Sequence, residues 1–333
     1  MAFVDVHTHA MPMPMLEWLA DEGLADLTQV GSQVVRIDPR VSGVAEGAPL
    51  PLAPAQLDAR TRLREMDAIG VDAHVVSLPP FLLASLTDDV GLAREVARRG
   101  NAALIDFCAA DSERLIPLAS VPVGTPDVAG AAAQALDTGF RGLAIGTRGL
   151  GRDLDDPVNE DLWALAADRS ILVFLHPSAI PDPARLRDFW MPQLVGYPME
   201  TAVAVSRLIF SGVRARHSFP LVLAHGGGCL PTIRGRLDLG WERKEVARTT
   251  ERRPSDYVGE MYFDSAVFSA EVLGDLISAF GADRILAGSD YPFELCDRDL
   301  GATISAQRLS ADDAARVAGG NAQRLLGLTG GVP

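Results

Sequence analysis

Cysteine is scarce in this chain of 333 residues: Cys108, Cys229 and Cys296 are the only three, they stand far apart, and no CxxC spacing occurs. That pattern excludes a disulfide scaffold and a structural zinc knuckle. It fits a reducing cytoplasm. Long apolar runs are also missing, since no stretch reaches the ~18 uninterrupted apolar residues of a membrane span. The start, Met1-Ala2-Phe3-Val4-Asp5-Val6-His7, has neither a basic nor an apolar leader region, so the sequence reads as soluble, unprocessed and cytoplasmic, without a membrane partner. Positive charge is in deficit, with 30 Lys plus Arg against 44 Asp plus Glu and a formal net charge of −14. Such a surface repels phosphate backbones, so nucleic acid is not an expected partner. No GxGxxG follows the first apolar run, and Gly226-Gly227-Gly228 lacks both Rossmann spacing and the Lys-Ser/Thr of a P-loop.

What is present is apolar material for a large core: 48% of residues are hydrophobic and 22% charged. Short apolar runs of strand length occur at Phe3–Val6, His74–Ser77, Ile116–Val121, Gly142–Ile145, Ile171–Leu175, Leu221–Ala224, Met261–Asp264 and Ile285–Ala287. Helical patterns separate them, among them Ala59–Ile69, Val90–Ala110, Met199–Arg214 and Ala270–Phe280. Eight strands alternating with helices predict an α/β fold of the (β/α)8 TIM-barrel class rather than an open doubly wound sheet. A typical barrel needs ~250 residues. The surplus is expected in loop insertions after strands 1 and 5. The first, a lid or wall at about 10–58, ends in the proline-rich Gly47–Pro54; the second runs from about Pro177 to Pro198. No linker divides the chain, so residues 1–333 read as one domain.

The chemistry begins at Asp5-Val6-His7-Thr8-His9. Strand alternation places residues 5, 7 and 9 on one face, so two imidazoles point together at the C-terminal end of the first strand, the mouth of a barrel. His176 directly follows the fifth apolar run, His225 the sixth, and Asp290 closely follows the eighth. Histidines and a carboxylate gathered on one rim are a ligand set for a divalent ion with a proton-transfer group beside it. His74, at a strand start, and His217, in a charged turn, read as structural or solvated.

These segments resemble the amidohydrolase superfamily. Within it they are similar to the branch containing 2-amino-3-carboxymuconate-6-semialdehyde decarboxylase. The likeness rests on Asp5–His9, the lone His176, His225-Gly226-Gly227-Gly228 and Asp290-Tyr291-Pro292-Phe293. It extends to Arg62–Asp67, Phe189–Gly196, Pro198–Thr201 and Gly319–Ala322. The resemblance implies that His7, His9, His176 and Asp290 bind one divalent metal, with zinc the first choice and manganese the second. It implies that His225 is the acid/base beside a metal-bound water, so His225 and Asp290 form the catalytic pair. A bridging carboxylated lysine, common in the superfamily, is not available, because the only lysine is Lys244, after the sixth strand.

Three neutral imidazoles and one carboxylate would leave zinc a net charge of about +1 and an open position, lowering the pKa of bound water toward ~7. An imidazole, ordinarily titrating near ~6.5, suits the accompanying proton transfers. The reading is a metal-dependent decarboxylase, a carbon-carbon lyase, acting on a small unsaturated or aromatic carboxylic acid. A hydrolase or hydratase acting on a lactone or ring-cleavage product would use the same groups, and a catalytically inactive sensor barrel would have no need of His225. For substrate contacts, Arg36 in Val34-Val35-Arg36 resembles an arginine of the family's first loop that binds a substrate carboxylate, with Arg40 as its rival, and Trp190 and Phe293 are candidate apolar walls. Arg236 in Arg234-Gly235-Arg236 resembles an arginine that in this branch reaches the active site of a two-fold mate. The resemblance therefore implies a homodimer.

Overall fold

The computed structural model describes residues 2–328. Its eight parallel strands are β1 (Val4–His9), β2 (Ala73–Ser77), β3 (Leu115–Pro117), β4 (Leu143–Gly146), β5 (Val173–His176), β6 (Leu221–Leu223), β7 (Tyr262–Asp264) and β8 (Ile285–Leu286). They pair in chain order as β1-β2-β3 and β4-β5-β6-β7-β8. Two seams complete the ring: Ala119 bridges to Leu143, and Thr8 bridges to Tyr291 just beyond β8. Across them the backbone N–H of Ala144 donates to Ala119 at 2.8 Å and that of His9 to Tyr291 at 2.8 Å. The expected (β/α)8 barrel is the fold.

Side chains fill the barrel. Val4, Val6, Ala73, Val75, Leu172 and Phe174 belong to its interior cluster. A second apolar layer lies between strands and helices, including Met66, Val76, Leu104, Leu143 and Leu208. The helix Ala59–Ile69 shows how sequence sets this layer. Asp58 accepts from the backbone N–H groups of Arg60 and Thr61, Gly70 closes the helix in the left-handed conformation, and Ala59, Arg62 and Met66 are buried at helical spacing.

Alternation along β1 fails at one point. Val4 pairs with Ala73 and Asp5 with His74, but Thr8 pairs with Val76, so two residues of β1 oppose one of β2. This bulge turns His7 into the barrel beside Phe174, with ring centroids 5.0 Å apart. Asp5 faces the other way, 3.9 Å from His74. The expectation that residues 5, 7 and 9 share a face is thereby corrected: His7 and His9 do, and Asp5 does not.

The stretch between β1 and β2 is more ordered than an extended lid. It carries the helix Met13–Asp21 and an antiparallel sheet of Ala25–Asp26, Val34–Ile37 and Leu50–Pro51, with Met15, Leu16, Leu19, Val35 and Ile37 buried. After β5, residues 177–190 are irregular and lead through a π-type turn, Pro192–Gly196, into the helix Tyr197–Phe210. No helix among the described residues is long and apolar enough to cross a membrane.

Candidate active site

Four strand ends deliver the site. β1 ends on His9 and β5 on His176, while His225 and Asp290 follow β6 and β8 within a few residues. One ligand atom each from His7, His176, His225 and Asp290 lies within 4.8 Å of the others. His9 completes the group, with Nε2 3.4 Å from Asp290 Oδ1 and ring centroids 5.1 Å from His7 and 5.2 Å from His176. All five residues expected at the rim are brought together.

Three of the four imidazoles are held by Nδ1. His7 Nδ1 donates to Asp264 Oδ2 at 2.6 Å. His9 Nδ1 lies 3.1 Å from Ser77 Oγ and 3.3 Å from the Leu78 carbonyl. His176 Nδ1 donates to the Pro177 carbonyl at 2.8 Å. Each ring thus turns Nε2 toward the shared centre, the arrangement in which an outer hydrogen bond fixes the tautomer of a metal-binding imidazole. His7 Nε2, His9 Nε2 and Asp290 Oδ1 are buried with no hydrogen-bond partner. Buried polar atoms are normally paired, so three unpaired ones around one point fit a divalent cation. His225 differs: its Nε2 is 3.4 Å from Asp290 Oδ2, and nothing holds its Nδ1.

Burial and neighbouring charges act differently on the buried ligand candidates. Burial pushes His9 down to about 4, and burial together with the neighbouring imidazoles holds His176 well below its usual value. Both are neutral. Burial opposes ionisation of Asp290, yet the charge on His7 and the nearness of the His225, His7 and His9 imidazoles keep its carboxyl well below the usual range. At His7 burial also works against charge, but Asp290 and Asp264 prevail and raise it to about 10. Carboxylates that stabilise a proton there would stabilise a metal cation in its place.

Backbone geometry is as particular as the side chains. His225 and Asp290 are non-glycine residues with φ of 56° and 67°. His225 is followed by Gly226, Gly227 and Gly228, all left-handed, and a Cβ on Gly228 would run into the Pro198 carbonyl. The glycine run therefore makes a sharp turn that presents the His225 ring to the site.

A cavity of about 460 Å³ opens above the cluster, and His176, His225 and Asp290 line it. Trp190 and Phe293 line it as expected, the Phe293 ring lying 5.3 Å from that of His9. Arg36 does not. It sits in the small antiparallel sheet and gives its donors to the Gly47 carbonyl at 3.1 Å and Gln29 Oε1 at 2.9 Å. Arg40 is taken up by Asp38 at 2.9 Å. Arg236 is exposed on the helix Leu230–Arg243 and is absent from the lining of its own cavity. His74 is fully buried and His217 bonds Glu160 at 2.8 Å, as suits structural roles.

Sequence reading missed Asp264, although it ends β7 as His176 ends β5. The same signal, a polar residue closing an apolar run, was there. It also missed the outer brackets. Asp5 accepts from Ser289 N at 3.0 Å and Ser289 Oγ at 2.5 Å, tying β1 to the loop of Asp290. Arg62 donates to the His9 carbonyl and to Thr8 Oγ1.

Comparison with known proteins follows the same lines. The sequence matches the amidohydrolase family over residues 4–328. It is 30% identical over 280 residues to 2-amino-3-carboxymuconate-6-semialdehyde decarboxylase of Dictyostelium discoideum, covering 81% of this chain and 77% of that protein. It is 31% identical over 288 residues to the gamma-resorcylate decarboxylase of Rhizobium sp. (strain MTP-10005), covering 81% and 87%. Among solved structures it resembles a dihydroxybenzoic acid decarboxylase from Polaromonas sp. JS666 with bound manganese, at TM-score 0.78 and 23% identity over 99% of this chain and 98% of that one. That last likeness is one of fold. Fold, strand-end histidines and sequence agree, and the chain belongs to the amidohydrolase family.

Proposed function

We propose that the protein is a metal-dependent decarboxylase of a small unsaturated or aromatic carboxylic acid. His7, His9, His176 and Asp290 hold one divalent ion, and His225 is the acid/base. The observation that carries this reading is the set of buried, unpaired atoms His7 Nε2, His9 Nε2 and Asp290 Oδ1 around one centre. When bound, the ion supplies a Lewis-acid positive charge that orients the substrate's oxygens and offsets negative charge as it develops. Zinc suits three imidazoles and a carboxylate. Manganese, held by the Polaromonas neighbour, is the alternative.

His225 performs the step the chain itself must supply. A proton passes from His225 to the carbon bearing the carboxylate, the C–C bond breaks, and its electron pair restores the unsaturation as CO₂ departs. Neutral His225 then regains its proton from water. Asp290 Oδ2, 3.4 Å from His225 Nε2, orients the ring. The Dictyostelium and Rhizobium relatives are both named decarboxylases, which favours loss of CO₂ over hydrolysis of a lactone. Elemental analysis should find close to one metal per chain, and a CO₂-release screen over hydroxybenzoates and ring-cleavage acids should find a substrate. Two metals per chain, or turnover confined to lactones and esters, would defeat the proposal.

Asp264 acts through His7. Asp264→Asn should weaken metal affinity by ~10–100-fold, the usual effect of losing an outer partner of a ligating histidine. Titration against a chromophoric chelator measures it, and unchanged affinity would remove Asp264 from the metal's support.

The reading extends to assembly. The whole chain acts as one domain, with the segment at about 10–58 walling the cavity, in a cytoplasmic homodimer where Arg236 of one copy serves the other's site. Three free cysteines suit that compartment, and the exposed position of Arg236 leaves it available to a neighbour. Mixing inactive Arg236→Ala and His225→Ala proteins under subunit exchange should restore activity at up to about half the sites of the mixed dimers. Exchange without recovery would confine Arg236 to its own subunit.

A further inference from the structure

β7 sends no group to the centre, yet its last residue holds groups that go there. Asp264 is fully buried. Its Oδ2 accepts from His7 Nδ1 at 2.6 Å, while its Oδ1 accepts from the backbone N–H of Gly226 at 2.8 Å and of Ala266 at 3.2 Å. Gly226 directly follows His225 and opens the left-handed glycine turn, with φ of 60°. A Cβ there would run into Val267, so the turn is packed against the same segment that supplies the carboxylate. The next residue extends the hold. Ser265 Oγ accepts from Gly288 N at 3.0 Å and donates to the Gly288 carbonyl at 3.1 Å, two residues before Asp290.

We propose that Asp264 is a positioning residue for His225 as well as for His7, and that only a carboxylate can serve both. The proposal rests on the metal-site reading for the role of His7 and on the acid/base reading for that of His225. All three partners of Asp264 are donors, so both of its oxygens must accept. An amide of the same shape has one oxygen and one NH2. With that oxygen on Gly226 and Ala266, the NH2 faces His7 Nδ1, which must then be bare; the ring proton moves to Nε2 and points at Asp290 Oδ1, 3.2 Å away. That tautomer cannot offer Nε2 to a metal. Turning the amide restores His7 but sets the NH2 against two backbone N–H groups, and the His225 turn loses its anchor. The two demands exclude one another. In Asp264→Asn, a metal arriving at His7 is therefore felt as a loosening behind His225.

His225-Gly226 is the one His-Gly pair in the chain, so carbon-13 in histidine carbonyls and nitrogen-15 in glycine amides make the Gly226 amide a single resolved NMR signal. Its deuterium exchange is followed in the full-length protein with and without zinc. In the wild type the exchange should be slow, and zinc should not speed it. In Asp264→Asn, zinc sufficient to fill the site should speed it by roughly tenfold or more, the scale of leaving a buried donor unpaired. The response should persist when His225→Ala is added, because it travels through Asp264 and not through the His225 ring. Zinc that fills Asp264→Asn without speeding Gly226, or a response lost with the His225 ring, would overturn the proposal. A variant that takes up no zinc upholds it if Gly226 stays as slow as in the wild type, the amide being committed to the turn, and overturns it if Gly226 is already fast. Should Asp264→Asn not fold, the wild type decides: Gly226 should exchange slowly with its proton shifted downfield by a charged acceptor, and a rate and shift like those of an exposed amide would overturn the proposal. No zinc uptake by the wild type would refute the metal-site reading and the proposal with it. The expected exchange pattern without CO₂ release from any acid would uphold the role of Asp264 and refute the decarboxylase reading alone.

Discussion

Replacing His225 by alanine should lower turnover by ~10²–10⁴-fold, the range of a positioned acid/base group, while metal content stays near one equivalent. The expectation follows from how the four imidazoles are held. His7, His9 and His176 each have Nδ1 engaged by another group, so Nε2 is committed to the centre. His225 has no such hold, and its side chain is the most exposed of those compared, at 14% against 0% for His7 and 1% for His9. A ring that faces the cavity and is not locked from behind is the one that can exchange protons with a substrate. No other histidine lines the cavity except His176, which the Pro177 carbonyl locks. His176→Ala should therefore lose the metal, where His225→Ala keeps it. Elemental analysis of both variants beside their turnover decides the matter: metal lost to the same extent from both would make His225 a ligand.

The second large effect is expected behind the histidine cluster, at a residue that does not line the cavity. Arg62→Met should destabilise the protein by roughly 2–4 kcal/mol, the scale of leaving several buried acceptors unpaired. Arg62 is fully buried. It donates to the Ala55 carbonyl at 3.1 Å, to Thr8 Oγ1 at 3.1 Å and to the His9 carbonyl, and its guanidinium lies 5.0 Å from the Tyr291 ring centre. Burial pulls its pKa down to about 10, a sign that the charge itself is costly here; methionine relieves that cost but leaves the carbonyls bare. Because one of those carbonyls belongs to His9, metal affinity should fall with stability. Lysine keeps the charge but not the fork of donors, so Arg62→Lys should recover only part of the loss. Urea unfolding of the metal-free variants measures the effect, and a midpoint equal to wild type would show that Arg62 is not a bracket.

Much of this site is legible along the chain because a parallel barrel repeats one local event. An apolar run ends, and the next polar residue stands at the mouth. His176 and His225 are found by that rule, Asp290 lies close behind its run, His9 follows from His7 by alternation, and the count of eight strands comes from the same runs. Asp264 obeys it too, yet counting it as the last residue of a strand hides it among structural positions. Asp5 breaks the pattern for a different reason: alternation groups it with His7 and His9, whereas the bulge against β2 turns it away. Arg36 matches a family arginine in text, but its sheet partners aim it at Gly47 and Gln29. Composition and spacing by themselves determined the barrel, the rim histidines and the scarcity of cations. The tertiary structure alone decided the tautomer-fixing partners, the bulge and the apolar cavity. Periodicity records only which residues alternate between solvent and core, while register, ring orientation and cavity walls arise from pairings between residues up to 284 positions apart, as Asp5 and Ser289 are.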